Sequence, residues 1–215
     1  MTNLKGPLVI VITGYVGSGK STVAANLSKS FGEVPVLYFD HYEKFIEWPT
    51  DMDQWIHNGV DPNQIRVPRL KEDLLSLMNG VPISDPLDGR ILTPAEYIIL
   101  EEPSGRERSE IKDYIGLVVY IDTPPDVCVA RLIERGVDMD LWKTKGTFKS
   151  ETKENLVRQL NTVALWVNHY QCTRSMYMMG SRIVQKNADI VVDGMKTVQE
   201  ISKDIMNSIN GKYIQ

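Results

Sequence analysis

The sequence predicts an α/β fold, a parallel sheet with helices on both faces, from three observations. Short β-branched apolar runs recur five times along the chain, and each is followed by helix-forming sequence or by a loop leading to it. The first run also passes through a glycine-rich turn straight into a helical pattern. Strands that read as continuously apolar rather than alternating are those buried on both faces of a parallel sheet, and strand–helix alternation is the order of α/β architecture.

The strands are expected at Leu8–Thr13, Val36–Phe39, Tyr97–Leu100, Leu117–Ile121 and Ile190–Val192. Helices are expected at Lys20–Ser30, Arg69–Asn79, Arg106–Tyr114, Pro125–Glu134, from about Glu151 to Gln185, and at Val198–Ser208. Asp122-Thr123-Pro124-Pro125-Asp126 reads as a strand exit into a helix start, with Pro and an early acid in the first turn. The long segment Asp40–Glu96 carries turn signals at Asp61-Pro62-Asn63 and Asp85-Pro86-Leu87-Asp88-Gly89, and insertions of this length usually carry function. A substrate-binding insertion is therefore expected over about 41–95. Gly136–Ser150, rich in Lys, Thr, Gly and Asp, opens the long helix, so a lid is expected over about 136–182. With 215 residues and 42% hydrophobic content, residues 1–215 are expected to form one domain.

Charge and composition narrow the partners. A net charge of −4, from 24 basic and 28 acidic residues, supplies no basic field for phosphate neutralisation along a polynucleotide. Cys128 and Cys172 lie far apart without a C-x-x-C or His-rich pattern, so both read as buried thiols rather than a disulfide framework or zinc site. The apolar run PLVIVI is too short to span a bilayer and has no small-residue cleavage site beside it. A cytoplasmic protein without membrane or nucleic-acid partners is expected, with monomer and homo-oligomer both left open.

Gly14-Tyr15-Val16-Gly17-Ser18-Gly19-Lys20-Ser21 fits G-x-x-x-x-G-K-[ST] and lies between the first strand and the first helix. Phosphate oxygens need several donors converging on one point, and glycines let the backbone turn tightly enough to aim successive N–H groups inward. The helix that follows adds unpaired N–H groups and partial positive charge. Lys20 supplies a point charge for the β- and γ-phosphates, and Ser21 a hydroxyl suited to Mg²⁺, a hard cation. Thr22 can hydrogen-bond the α-phosphate. The fold expected is thus a three-layer α/β/α P-loop NTPase fold binding ATP with Mg²⁺.

Ligands in open parallel sheets gather beyond the carboxyl ends of the strands. Asp40 ends the second strand and is the candidate base for an acceptor hydroxyl. Glu101 and Glu102 end the third, and either is placed to hold the water shell of Mg²⁺. Neighbouring strand residues point to opposite sides, so one of the two faces the site, with Glu101 favoured. Arg131 and Arg135, spaced i, i+4 on one helix face, could reach the adenine plane or the transferring phosphate. Arg106, one short loop beyond the acids, is a candidate for the acceptor or a phosphate. Arg158, Arg174 and Arg182 could close over phosphates, but each singly reads as a surface charge. Trp166, Tyr170 and the methionines from Met176 to Met179 read as a core stripe, and His41 as an exposed loop histidine.

The succession GYVGSGKS, YFDHY, IILEEPSGR and YIDTPPDVCVARLIER resembles the uridine-kinase-like branch of P-loop small-molecule kinases, across most of the chain. The resemblance implies a five-stranded parallel sheet ordered 2-3-1-4-5 with a helical lid. It implies that Asp40 is the base, with Tyr42 beside it at the substrate, that Glu101 or Glu102 serves the metal, and that Arg131 and Arg135 lie on the arginine-bearing helix. Ala188–Gly194 would be the last strand and the turn beside adenine. The expectation is an ATP- and Mg²⁺-dependent phosphotransferase acting on a hydroxyl of a nucleoside such as uridine or cytidine, or of a similar metabolite. The alternative is a P-loop ATPase or regulatory nucleotide binder without an acceptor. Guanine recognition by N-K-x-D is absent from the sequence, which disfavours a GTPase switch.

Overall fold

Leu8–Gly14 is an unbroken apolar run up to Thr13, and it forms the central strand β1, buried on both faces. The computed structural model, which describes residues 6–136 and 153–213, surrounds it with β2 (Val36–Tyr38), β5 (Tyr97–Glu101), β6 (Leu117–Asp122) and β7 (Ile190–Asp193). The sheet runs β2-β5-β1-β6-β7, and every pairing is parallel. Two further strands, β3 (Ile83–Ser84) and β4 (Ile91–Leu92), pair antiparallel as a hairpin inside the insertion. This hairpin was not expected, and it changes the chain-order numbering. Among the five sheet strands alone the order is 2-3-1-4-5.

Side chains alternate across a strand, and the alternation sorts the core into two layers. Ile10, Ile12, Ile99, Val119 and Ile121 pack with Val23 and Leu27 of α1 (Lys20–Ser30) and with Ile201, Ile205 and Ile209 of the last helix, Val198–Tyr213. Val9, Val11, Ile98, Leu100 and Val118 face the other way, onto Leu70, Leu74 and Leu77 of α3 (Pro68–Met78) and onto Tyr42. Burying one such side chain fully is worth about 1.5–3 kcal/mol, so both layers hold the sheet. Helix α4 (Pro125–Gly136) packs against α5 (Lys153–Lys186), which also reaches β1 and β6. The last helix is α6.

Local chemistry explains where the structure departs from expectation. The second strand stops at Tyr38, and Phe39–Phe45 winds into a 3-10 segment. A short helix α2 (Met52–His57) begins at Asp51, whose carboxylate accepts from the Gln54 N–H at 2.8 Å, an N-cap bond that satisfies one orphan donor. The helix expected at Arg106–Tyr114 is not formed, and only Lys112–Tyr114 makes a 3-10 turn. Arg108 in that stretch is drawn into the core by ion pairs with Glu102 and Glu110, and its backbone follows it rather than a helical path. The expected lid falls partly on residues 137–152, outside the described residues; from Lys153 one continuous helix runs to Lys186. Cys128 is buried as expected, whereas Cys172 is exposed on α5. Among the described residues no helix is long and apolar enough to cross a membrane.

Candidate functional site

The turn from β1 into α1 is shaped by three glycines with positive φ, at 150° for Gly14, 81° for Gly17 and 98° for Gly19. Gly17 also needs its missing side chain, because a Cβ there would stand 2.5 Å from the carbonyl oxygen of Cys128 in α4. Helix α4 thus lies directly against the loop. Burial pushes the Cys128 thiol up to about 11 against the charges of Arg131 and Lys20, so this cysteine packs rather than reacts.

Three parts of the chain converge on one peptide group. The Ser18 carbonyl accepts from Thr123 Oγ1 at 3.3 Å and from Arg131 Nη1 at 3.2 Å. A trans peptide sets its C=O and the next N–H in opposite directions, so holding the Ser18 oxygen outward turns the Gly19 N–H inward, into the cradle. The other guanidinium nitrogen of Arg131 donates to the Gly194 carbonyl at 3.1 Å, joining the loop to the turn after β7. The sequence put Arg131 within reach of the adenine plane or the transferring phosphate; in the structure its guanidinium is engaged by two backbone carbonyls as a brace. Arg135, one turn further along α4, is exposed.

Lys20 opens α1. Its Nζ lies 3.7 Å from Glu101 Oε1 and donates to the Tyr15 carbonyl at 3.4 Å. Glu101 follows Ile99 on the α1 side of the sheet, as the pleat requires. Burial raises its carboxyl to about 6, with Lys20 opposing and the charges of Asp40 and Glu102 adding to the rise. Asp40 itself is exposed in the 3-10 segment. The Ser21 hydroxyl at the start of α1 and the Glu101 carboxylate are hard oxygen donors, a set that fits Mg²⁺ held together with water and phosphate oxygens.

Of the two acids named as able to serve the metal, Glu102 turns the other way, away from Lys20 and the loop. It is 0% exposed, and its carboxylate takes Arg108 Nη2 at 2.7 Å and the Ser104 N–H at 3.1 Å. Arg108, 1% exposed, stacks over the Phe39 ring at 5.5 Å. A buried acid paired this closely with a buried base has no face left for an ion. Sequence reasoning missed Arg108. The one available signal was a second basic residue two positions beyond Arg106.

Three further expectations are corrected. Arg106 Nη2 pairs with Asp189 at 2.7 Å, and the same carboxylate oxygen accepts from the Val118 N–H at 2.8 Å. That cluster lies at the amino ends of β6 and β7, away from the phosphate loop at the carboxyl ends. Tyr42, expected at the substrate, is buried in the α3 layer, and its hydroxyl donates to Asp73 at 3.0 Å. His41, expected as an exposed loop histidine, is half-buried with its Nδ1 bonded to Asp85.

Helix α5 supplies neighbours that sequence reasoning left in the core or on the surface. Tyr177 meets Tyr15 of the loop edge-on, with ring centroids 5.9 Å apart. Burial raises the Tyr15 hydroxyl, helped by Tyr170, while the charge of Arg174 opposes. Residues 170, 174 and 177 are spaced to share one helix face, so that face overlooks the loop with a cation in its middle.

The sequence matches the family model described as AAA domain over residues 10–143. A uridine kinase of Clostridium perfringens is 28% identical over 202 residues, 88% of this chain and 88% of that protein. A uridine kinase of Clostridium novyi is 31% identical over 143 residues, covering 61% of this chain and 69% of that protein. Among solved structures, an uncharacterized protein of Eubacterium ventriosum superposes with a TM-score of 0.52 at 15% identity, over 95% of this chain and 99% of that one. That likeness is one of fold.

Proposed function

The chain belongs to the P-loop family that the AAA domain model describes, in its uridine-kinase-like branch, and from that membership we propose that it transfers the γ-phosphate of ATP to a hydroxyl of a small molecule, a nucleoside such as uridine or cytidine or a similar metabolite. The observation that carries this reading is the grouping of Lys20, Glu101 and Asp40 at the carboxyl ends of β1, β5 and β2.

Phosphoryl transfer asks a protein mainly for positioning and charge neutralisation. The loop from Gly14 to Ser21 wraps the β- and γ-phosphates with main-chain N–H groups, and Lys20 leaves Glu101 to neutralise the moving charge. Ser21 and Glu101 would hold Mg²⁺, whose charge would offset that of the phosphate oxygens. Asp40 orients the acceptor hydroxyl and takes its proton as the new O–P bond forms. Tyr177 and Arg174 cover the loop from α5 and keep water from the transferring group. The acceptor lies between Asp40 and the insertion that carries Trp48 and Arg69.

The test is direct. Purified protein with MgATP is offered uridine, cytidine, other nucleosides, sugars and vitamins, and products are followed by phosphorus NMR. A phosphorylated acceptor formed with stoichiometric ADP supports the reading. ATP consumed at the same rate whether or not an acceptor is added would overturn it in favour of an ATPase.

A further inference from the structure

Asp40 sits in a segment whose next two residues are each tied to a buried aspartate. His41 Nδ1 donates to Asp85 at 2.8 and 2.9 Å, and the Tyr42 hydroxyl donates to Asp73 at 3.0 Å. Asp73 is 4% exposed and Asp85 2%. They come from separate parts of the insertion, Asp73 from α3 and Asp85 from the turn of the β3–β4 hairpin. Each is fully engaged. Asp73 also takes Arg69 Nε at 3.0–3.1 Å, and Asp85 also accepts from the Leu87 and Asp88 N–H groups at 2.9 and 3.4 Å.

Carboxylates this deep are costly unless well paired, and an apolar residue would pack the same volume at less cost. Neither one belongs to the phosphate cradle. A 3-10 segment has about three residues per turn, so three successive side chains leave the axis in three directions. With His41 turned onto the hairpin and Tyr42 turned into the α3 layer, Asp40 takes the remaining direction. Phe39 and Asp40 follow directly on β2, whose last residue Tyr38 pairs in register with Glu101 of β5. The segment thus starts at the strand ends beside the cradle, and the charge of Asp40 adds to the rise of the Glu101 carboxyl.

We propose that Asp73 and Asp85 are positioning residues that aim the Asp40 carboxylate at the acceptor hydroxyl, Asp73 through Tyr42 and Asp85 through His41. The proposal rests on the reading of Asp40 as the base. It joins two distant pieces of the insertion to one reacting atom, and either piece alone would leave the segment free to turn about its axis.

The variants are Tyr42→Phe and Asp85→Ala, with Asp85→Asn as the conservative partner whose amide oxygen still accepts from His41. Each is made alone and in an Asp40→Asn background, with uridine as the acceptor probe and water as the acceptor in its absence. Misaiming a reacting group by about 1 Å costs up to about 10²-fold, so Tyr42→Phe and Asp85→Ala should lower kcat by about 10–10²-fold with the KM for MgATP held within about twofold. Asp85→Asn should recover most of the rate. In the Asp40→Asn background neither change should cost anything more, because groups acting through one residue are not additive. Equal losses in both backgrounds, or a rise in KM alone, would overturn the proposal. Hydrogen exchange of residues 39–45 should quicken in Tyr42→Phe and Asp85→Ala, and unchanged protection would also overturn it. If uridine is not phosphorylated, the acceptor reading fails while exchange still decides the clamp. If Asp40→Asn leaves all turnover intact, it is the base that is refuted.

Discussion

Lys20 and Glu101 face each other across the mouth of the phosphate loop, Nζ to carboxylate oxygen at 3.7 Å, although they are the first residue of α1 and the last of β5. On the proposed reading, the pair sets a cation and an acid where a triphosphate and its metal would need one of each. Lys20→Ala should therefore abolish measurable MgATP binding by calorimetry while the fold survives by circular dichroism. Tight binding retained in that variant would remove the loop as the nucleotide site.

Glu101 also gives the protein a pH signature. Its carboxyl is raised from 4.5 to about 6 in the folded chain, so the fold binds a proton there that the unfolded chain has already lost. Stability from this residue is present in full below about pH 4.5 and is lost as pH rises through about 6, a change of about 2 kcal/mol. Urea unfolding of the metal-free protein between pH 4 and 7 should show that decline against Glu101→Gln, which cannot titrate. Parallel curves for the two proteins would contradict it.

Asp40→Asn should leave MgATP affinity nearly unchanged and cut transfer by about 10²–10⁴-fold, the span typical of a lost general base. Single-turnover measurements with the acceptor found by NMR separate binding from chemistry. A variant as fast as wild type would return Asp40 to the role of a turn residue.

Arg131 spans two carbonyls, those of Ser18 and Gly194. Arg131→Ala should weaken MgATP binding by about tenfold, since the Gly19 N–H loses its aim. A loss of about 1.4 kcal/mol corresponds to that factor. Arg131→Lys should not restore it, because a single ammonium cannot reproduce the planar fork. Calorimetry on both variants reads the outcome, and recovery in the lysine variant would argue for charge alone.

Gly17→Ala places a Cβ 2.5 Å from the Cys128 carbonyl oxygen at a φ of 81°. Backbone strain of this kind costs about 1–3 kcal/mol, so the melting temperature should fall along with nucleotide affinity. A variant that melts with wild type would mean that α4 can retreat from the loop.

Much of the molecule could be read from neighbouring residues. The strand at Leu8, the glycines that follow it and the helix at Lys20 were all legible because their causes lie within a few positions of each other: continuous apolar character, the tight turn, and the release into a helix-forming run. The same holds for the alternation that set Glu101 and Glu102 on opposite sides. The hairpin at Ile83 escaped notice because its strands are two residues each, too short for any periodicity.

Other assignments depend on crossovers that bring remote positions together. Ser18, Thr123, Arg131 and Gly194 meet at one peptide only because parallel strands deliver their carboxyl ends to the same edge of the sheet. Arg108 could not be distinguished from Arg106 by composition, yet one pairs with Glu102 in the core and the other with Asp189 at the far end of the strands. A side chain's partner is a property of three-dimensional neighbourhood, and the chain encodes it through the packing of whole layers rather than through any run of adjacent letters. Local pattern thus named the glycine-rich loop and the acids that border it, and the folded layers decided which of those acids faces Lys20 at the loop and which lies locked in the core.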